Sequence, residues 1–289
     1  MKTSFYKYLC LLLMTAFCIQ AYADESENTG LIHTLRVGVS GGSGLNLTPA
    51  DCVMKSSFGA SGALAFDYAF YKSFNEVDLG LRMGLDLGYM YLPYHAEFEQ
   101  HYSNVDYLNN QIDYTTSGLL DITQNQLYAS VPVMFALRTH GFVCNIGVRL
   151  QIPFYQTGKQ QLSEPLIQAY YPEYDVTVTN ELITGIVAEN QLSTPLALSP
   201  ILLECLASAE IGYEHSLNTK GSIGFTAYVH AGIWNSLPKA TNTPIIQVAP
   251  IMDSETPVPT VTVNDVYTSL LTSYVPLQFG LKLYYAFTL

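Results

Sequence analysis

Residues Tyr274–Leu289 read YVPLQFGLKLYYAFTL. Every second residue, Val275, Leu277, Phe279, Leu281, Leu283, Tyr285, Phe287 and Leu289, is apolar. Between them stand Tyr274, Pro276, Gln278, Gly280, Lys282, Tyr284, Ala286 and Thr288. Alternation of period two marks a strand with two unlike faces. Strands of soluble domains are commonly about 5–6 residues long. A tilted strand of roughly 9–11 residues crosses a bilayer, and one wholly apolar face is what lipid requires of it. The stretch therefore predicts an all-β fold, a transmembrane antiparallel up-and-down β-barrel, with this strand closing it.

Seven earlier segments repeat the pattern. They are Leu31–Ser40, Phe58–Phe70, Val77–Tyr91, Gln126–Arg138, Phe142–Phe154, Leu202–His215 and Gly221–Trp234. The third is the clearest: Val77, Leu79, Leu81, Met83, Leu85, Leu87, Tyr89 and Tyr91 alternate with Asp78, Gly80, Arg82, Gly84, Asp86, Gly88 and Met90. Eight strands is an even count, and the connections after strands two, four and six are short while the others are long. That rhythm predicts short periplasmic turns and long extracellular loops. Loops are expected over Asn46–Ser57, Leu92–Asn125, Tyr155–Ile201 and Asn235–Ser273. Tyr174–Val187 and Pro257–Tyr267 also alternate in part; they read as extensions beyond the membrane, and the count rises to ten if both cross. A soluble barrel of calycin type is the rival architecture. It is disfavoured because the polar faces are mostly Gly, Ser, Ala and Thr, which suit a crowded interior better than a solvent face. Aromatic residues also collect at the strand ends, as two interfacial girdles require: Tyr89, Tyr91, Tyr94, Phe154, Tyr155 and Trp234 at one, Phe70, Tyr71, Phe142, Tyr213, Tyr285 and Phe287 at the other.

The N-terminus sets the expected address. Lys2 and Lys7 flank the start of an apolar run, Tyr8–Ile19, and Ala21-Tyr22-Ala23 is a small-x-small cleavage site. Residues 1–23 are expected to be a secretory signal peptide, and 24–289 the barrel domain of a Gram-negative outer membrane. The formal charge of −12 falls to about −14 without the two lysines, which argues against nucleic acid, whose phosphates need Lys and Arg. Cys52, Cys144 and Cys205 remain after the signal, an odd number without metal-ligand spacing, so no disulfide framework, metal or cofactor is expected.

The paired stretches LYASVPVMFAL (127–137) and FVCNIGVRLQIPF (142–154) resemble the small outer-membrane barrel domain common in Bacteroidetes, the PorT-like group, through the segment Ser130-Val131-Pro132-Val133. Leu281, Leu283, Tyr285, Phe287 and Leu289 resemble the C-terminal signal read by the barrel-assembly machinery, with Leu289 in place of the usual terminal Phe. The resemblance implies fold and location, with outer-membrane lipid and that machinery as partners. It names no activity, because members of such groups do different things.

Three functions remain in view. The first is a side-chain-filled barrel with a structural or interaction role through its extracellular loops and an unidentified envelope or extracellular partner, as in OmpA- and OmpX-like proteins. The second is a narrow passive channel for small solutes. The third is a lipid-modifying enzyme. Enzymes on such barrels need His with Ser or Asp near the outer rim, and His95, His101, Ser103, Asp106 and Asp113 are the candidates; their spacing fixes nothing, and no catalytic role is assigned. Glu214-His215-Ser216 falls at a short turn, where neighbours point to opposite faces, and His230 is expected to be a hydrogen-bonded interior residue. The first reading rests on charges expected inside: Arg36, Asp67, Asp78, Arg82, Asp86, Arg138, Arg149, Glu204, Glu210, Glu214 and Lys282. Adjacent strands predict Arg36, Asp67 and Arg82 or Asp78 as neighbours on strands one to three, Arg149 beside Glu210, and Lys282 beside Arg36. An interior only wide enough for side chains is then sealed by ion pairs.

Overall fold

The computed structural model describes residues 30–46, 53–105, 109–179, 196–197, 201, 203–217, 220–234, 243–249, 260–269 and 275–289. The expected signal peptide, Cys52 and Asp106 lie outside them. The strands are β1 (Leu31–Asn46), β2 (Val53–Ser56), β3 (Ala60–Phe74), β4 (Val77–Val105), β5 (Gln111–Thr139), β6 (Phe142–Tyr171) and β7 (Val176–Thr179), then β8 (Leu196–Ala197), β9 (Glu204–Ser216), β10 (Gly221–Gly232), β11 (Ile246–Ala249), β12 (Thr260–Val263) and β13 (Pro276–Thr288). One helical turn, α1 (Val266–Ser269), follows β12.

Eight strands close a ring in the order β1, β3, β4, β5, β6, β9, β10, β13, with every neighbour antiparallel and β13 returning to β1. Closure satisfies the backbone groups that an open edge would expose to lipid. Counted along the pairings from Ser40, one path reaches Pro153 and the other Val143, so the ring closes with a stagger of 10 residues (153 − 143). The count is the expected eight, and the alternative of ten does not hold: among the described residues β7 pairs with the upper part of β6, and β12 pairs with β11 in a separate two-stranded sheet, so both segments are extensions beyond the ring.

The two faces fall as the alternation requires. Ile146, Ile211, Leu64, Leu281, Leu283 and Phe225 are all more than half exposed on the outside. A continuous outward surface of such residues is tolerable against lipid and far exceeds the apolar patches of soluble proteins. The molecule is thus a transmembrane barrel, and the calycin reading fails because its apolar faces would have to point inward. The short turns are tight: His140 and Gly141 both have positive φ (48° and 83°), the signature of a two-residue type I′ hairpin. Glycine on the inner face makes room for rings. A Cβ at Gly224 would sit 2.3 Å from Tyr284 Cζ, and one at Gly88 2.4 Å from Tyr128 Cζ. The stretch Gly41–Gly44, beyond the expected strand Leu31–Ser40, stays in the ladder for a related reason, since Gly42 lies opposite Gly280 beneath the Tyr228 hydroxyl.

The main departure lies at the long-loop end. Leu92–Asn125 is not a loop: β4 and β5 continue as 29-residue strands paired from Val77↔Thr139 up to Val105↔Gln111. β6 likewise runs 30 residues to Tyr171. At about 3.3 Å per residue, such strands reach far beyond a bilayer. Above Tyr91 their polarity inverts. Leu92, Tyr94, Ala96 and Phe98 now point inward and are buried, while His95, Glu97 and Glu99 face out. On β5, Ile112, Tyr114, Leu120 and Ile122 are likewise buried inside. Water has replaced lipid outside, so the sheet adopts the apolar-in arrangement of a soluble barrel. β11, β12 and α1 cover this upper interior with Ile245, Ile246, Val248, Val266 and Tyr267.

Candidate functional site

The inner wall of the spanning part is built from the residues between the apolar ones, so each inward charge is set by strand parity. Five cations (Arg36, Arg82, Arg138, Arg149, Lys282) meet six carboxyls (Asp67, Asp78, Asp86, Glu204, Glu210, Glu214), and every one except Glu204 is ion-paired. Near the short turns, Arg36 Nη2 donates to Glu214 at 2.9 Å, and Arg138 bridges Glu214 at 3.3 Å and Asp78 at 2.8 Å. The Tyr284 and Ser222 hydroxyls donate to the same Glu214 carboxylate at 3.1 and 2.8 Å. Arg36 stands over the rings of Tyr284 and Tyr71, and Arg138 over Tyr71, at 4.9 to 5.8 Å. Tyr71 is therefore an interior residue and not part of the lower girdle, and buried Tyr94 is corrected in the same way for the upper one.

One tier higher, the Arg82 guanidinium grips Glu210 with both terminal nitrogens, Nη2 at 2.6 Å from Oε1, and lies 3.6 Å from Asp67. Lys282 donates to Asp67 at 2.6 Å, and Asn145 to Glu210 at 3.2 Å. Arg149 pairs with Asp86 at 2.7 Å and donates to Ser130 at 3.1 Å. One expected pairing is thus corrected: Arg149 meets Asp86 and not Glu210. Lys282 does stand on the strand beside that of Arg36, and its partner is Asp67. Side chains here reach across the lumen as well as along the wall: Arg82 on β4 and Glu210 on β9 belong to strands that are not neighbours in the ring. His230 is an interior residue, its Nδ1 2.7 Å from the Ser208 hydroxyl and its ring stacked on Tyr228 at 4.6 Å.

Above these pairs the lining turns to amides. Gln151 donates to Glu204 at 2.6 Å, and Gln124 donates to Gln126 at 3.1 Å. The Tyr267 hydroxyl, from the covering segment, donates to Gln124 Oε1 at 2.6 Å. Burial pushes the Tyr267 hydroxyl pKa well above its ordinary range, against a hydrogen bond from Tyr94 that lowers it. This amide floor was not read from the sequence, although Gln124, Gln126, Gln151 and Gln160 carried a signal as amides at inward positions. Below the plug, the short-turn mouth opens as a polar cavity of about 410 Å³ lined by Asp78, Arg138, His140 and Glu214.

The rim candidates do not assemble. His95 Nδ1 lies 2.5 Å from Asp121, and the Ser163 hydroxyl donates to that same Asp121 at 3.3 Å. His101 meets Thr115 at 2.9 Å, and Ser103 donates to Asp113 at 2.6 Å. These are cross-strand pairs on the exposed outer face, and in none of them does a histidine contact a serine hydroxyl. Hydrogen bonds from Gln111 and Ser103 hold the Asp113 carboxyl below its usual range. Among the described residues, no group of three or more His, Cys, Asp or Glu is placed to hold a metal ion. Leu281, Leu283, Phe287 and Leu289 face outward on the closing strand.

No protein-family model and no curated protein matches the chain. Among solved structures, the outer-membrane protease OmpT from Escherichia coli is similar over 91% of this chain and 98% of that one, with 7% sequence identity and a TM-score of 0.28.

Proposed function

We propose that the chain is a Gram-negative outer-membrane barrel that neither conducts nor catalyses, of the PorT-like or OmpX-like kind. Its task is carried by the surface it projects beyond the outer leaflet. The short turns then face the periplasm, and β4–β6 stand on the cell exterior. The observation that carries the reading is the plug: Arg82 and Glu210 clasp each other across the lumen, with Asp67, Lys282, Asp86 and Arg149 paired around them. Charges buried at that density are tolerable when paired and hydrogen-bonded. The tall, water-facing sheet of His95, Glu97, Glu99, Asp113 and Asp121 supports an interaction role. Leu281 to Leu289 are the face offered to the barrel-assembly machinery during insertion.

The purified barrel in a planar bilayer is expected to show at most small, rare openings. A steady, large conductance would replace this reading with that of a passive channel. The His95–Asp121 pair is the one feature that favours a rim enzyme. Alanine at His95 and His101 is expected to leave the envelope's lipid profile unchanged, and an altered profile would establish the enzyme instead.

A further inference from the structure

The short-turn mouth holds a guanidinium and a carboxylate side by side, with open space in front of them. Arg138 and Asp78 both line the cavity of about 410 Å³, and their side chains are 19% and 20% exposed. Such a volume lies within the range of small-molecule sites. The Arg138 guanidinium is held in place. Its Nε and Nη2 donate to Asp78 Oδ2 at 2.9 and 2.8 Å, its Nη1 donates to Glu214 at 3.3 Å, and it stands over the Tyr71 ring at 4.9 Å. A guanidinium carries five N–H groups, so one on each terminal nitrogen is left over. Glu76, two residues before Asp78, lines the same cavity and is largely exposed, 3.6 Å from His140. The inner end has a surplus of donors. Arg36 Nε, Arg36 Nη1 and the Tyr71 hydroxyl are buried with no hydrogen-bond partner among the described residues. Tyr71 stands in register with Ile32, which lines the cavity, and its ring has Arg36 at 5.8 Å. Buried donors without an acceptor are costly, and these three are short of one.

We propose that the mouth binds a free α-amino acid as its zwitterion. The carboxylate meets Arg138 and the Arg36–Tyr71 donors, and the ammonium meets Asp78 and Glu76. Charge chooses among ligands. Arg36 and Arg138 balance Asp78 and Glu214. A lone anion would add its charge beside those carboxylates, and a lone cation beside those guanidinium groups, where water only partly screens them. A zwitterion adds no net charge. It also matches the spacing, since Arg138 and Asp78 touch each other and the two charges of an α-amino acid sit on one carbon. Ser216 and Thr288 line the cavity too, so its walls suit a polar side chain. The orientation proposed above places this mouth in the periplasm, which decides only where the ligand is met. The inference goes beyond the closed-lumen reading, because the cavity lies below the plug and binds whether or not the lumen conducts.

The test is calorimetric titration of the full barrel refolded in detergent. The probe is L-glutamine, with N-acetylglutamine as the control lacking the ammonium and glutaminamide as the control lacking the carboxylate. Glutamine is expected to bind saturably, and each control to bind roughly tenfold more weakly or worse. Glu76→Gln, at an exposed position, should weaken glutamine and leave N-acetylglutamine as it was. Tyr71→Phe keeps the ring under Arg138 and removes the unpartnered hydroxyl; it should weaken glutamine and leave glutaminamide as it was. No saturable binding of glutamine, equal affinity for the three probes, or unchanged glutamine affinity in both variants would overturn the inference. If Tyr71→Phe does not fold, the three probes on the unmodified chain and Glu76→Gln decide. Conductance of the same preparation keeps the two readings apart: a conducting barrel that still discriminates the probes loses its closed lumen and keeps this site.

Discussion

Replacing Arg149 by alanine leaves Asp86 inside the barrel with no cation at the 2.7 Å distance it now enjoys. Breaking one half of a buried pair costs about 3–5 kcal/mol. Arg149→Ala is therefore expected to lower the urea midpoint of the refolded barrel substantially. Arg138→Ala, at the half-open mouth, should lower it less, because the Asp78 it abandons is partly exposed and water can solvate it. Equal losses would mean that burial does not govern the network. A second contrast tests the outer face. Arginine at Leu85 is set against the lipid midplane and should cost about 2–4 kcal/mol, whereas arginine at Tyr91, at the interface, should cost nearly nothing. Similar costs at the two positions would contradict the placement of the bilayer. Strand parity made the inward charges legible as a set. The partners were legible only in part: Asp67 and Arg82 meet from adjacent strands, but Arg82 and Glu210 meet across the lumen, where a neighbour rule does not reach.

At the scale of elements, β13 is bonded on both sides, to β1 through Val37↔Tyr285 and Leu35↔Phe287 and to β10 through Ile223↔Tyr285 and Gly221↔Phe287. Deleting Tyr285–Leu289 opens two ladders to lipid, and no bilayer tolerates such edges. The truncated chain is expected to fail to assemble, and a truncated chain that still migrates as a heat-modifiable barrel would refute this. The upper parts of β4 and β5 make a different prediction. If Leu92–Phe98 and Leu120–Gln124 are ladder strands over an apolar core, their amides exchange slowly although they stand in water. A loop would exchange within seconds. The sequence hid this region for two reasons. In β4 and β5 the alternation continued, but its apolar phase changed faces after Tyr91. In β6 the period itself is broken by register shifts near Leu127/Tyr128 and Ser117/Leu119, the second beside Glu164 with its φ of 50°; each shift inserts residues that reverse inside and outside.

For the whole molecule, position in the bilayer can be read from Trp234, the only tryptophan in the chain. It stands two residues beyond the upper end of β10, about half exposed, and aromatic side chains of this kind settle at headgroup level. Lipids brominated near the headgroup should quench it more strongly than lipids brominated near the chain ends, and the reverse order would put the barrel at another depth. The sequence by itself determined the strands that cross, the two faces of their alternating residues within the bilayer, and the set of charges that line the interior. Those follow from period two and from the need of lipid for one apolar face, both local properties of the chain. Only the tertiary structure decided which charges meet, that the strands carry on past the membrane with their polarity reversed, and that Tyr267 sits on Gln124 beneath a lid of separate strands. Each of these depends on residues brought together by ring closure from distant parts of the chain, and on the change of solvent from lipid to water along a single strand, which an alternation read against one solvent does not register.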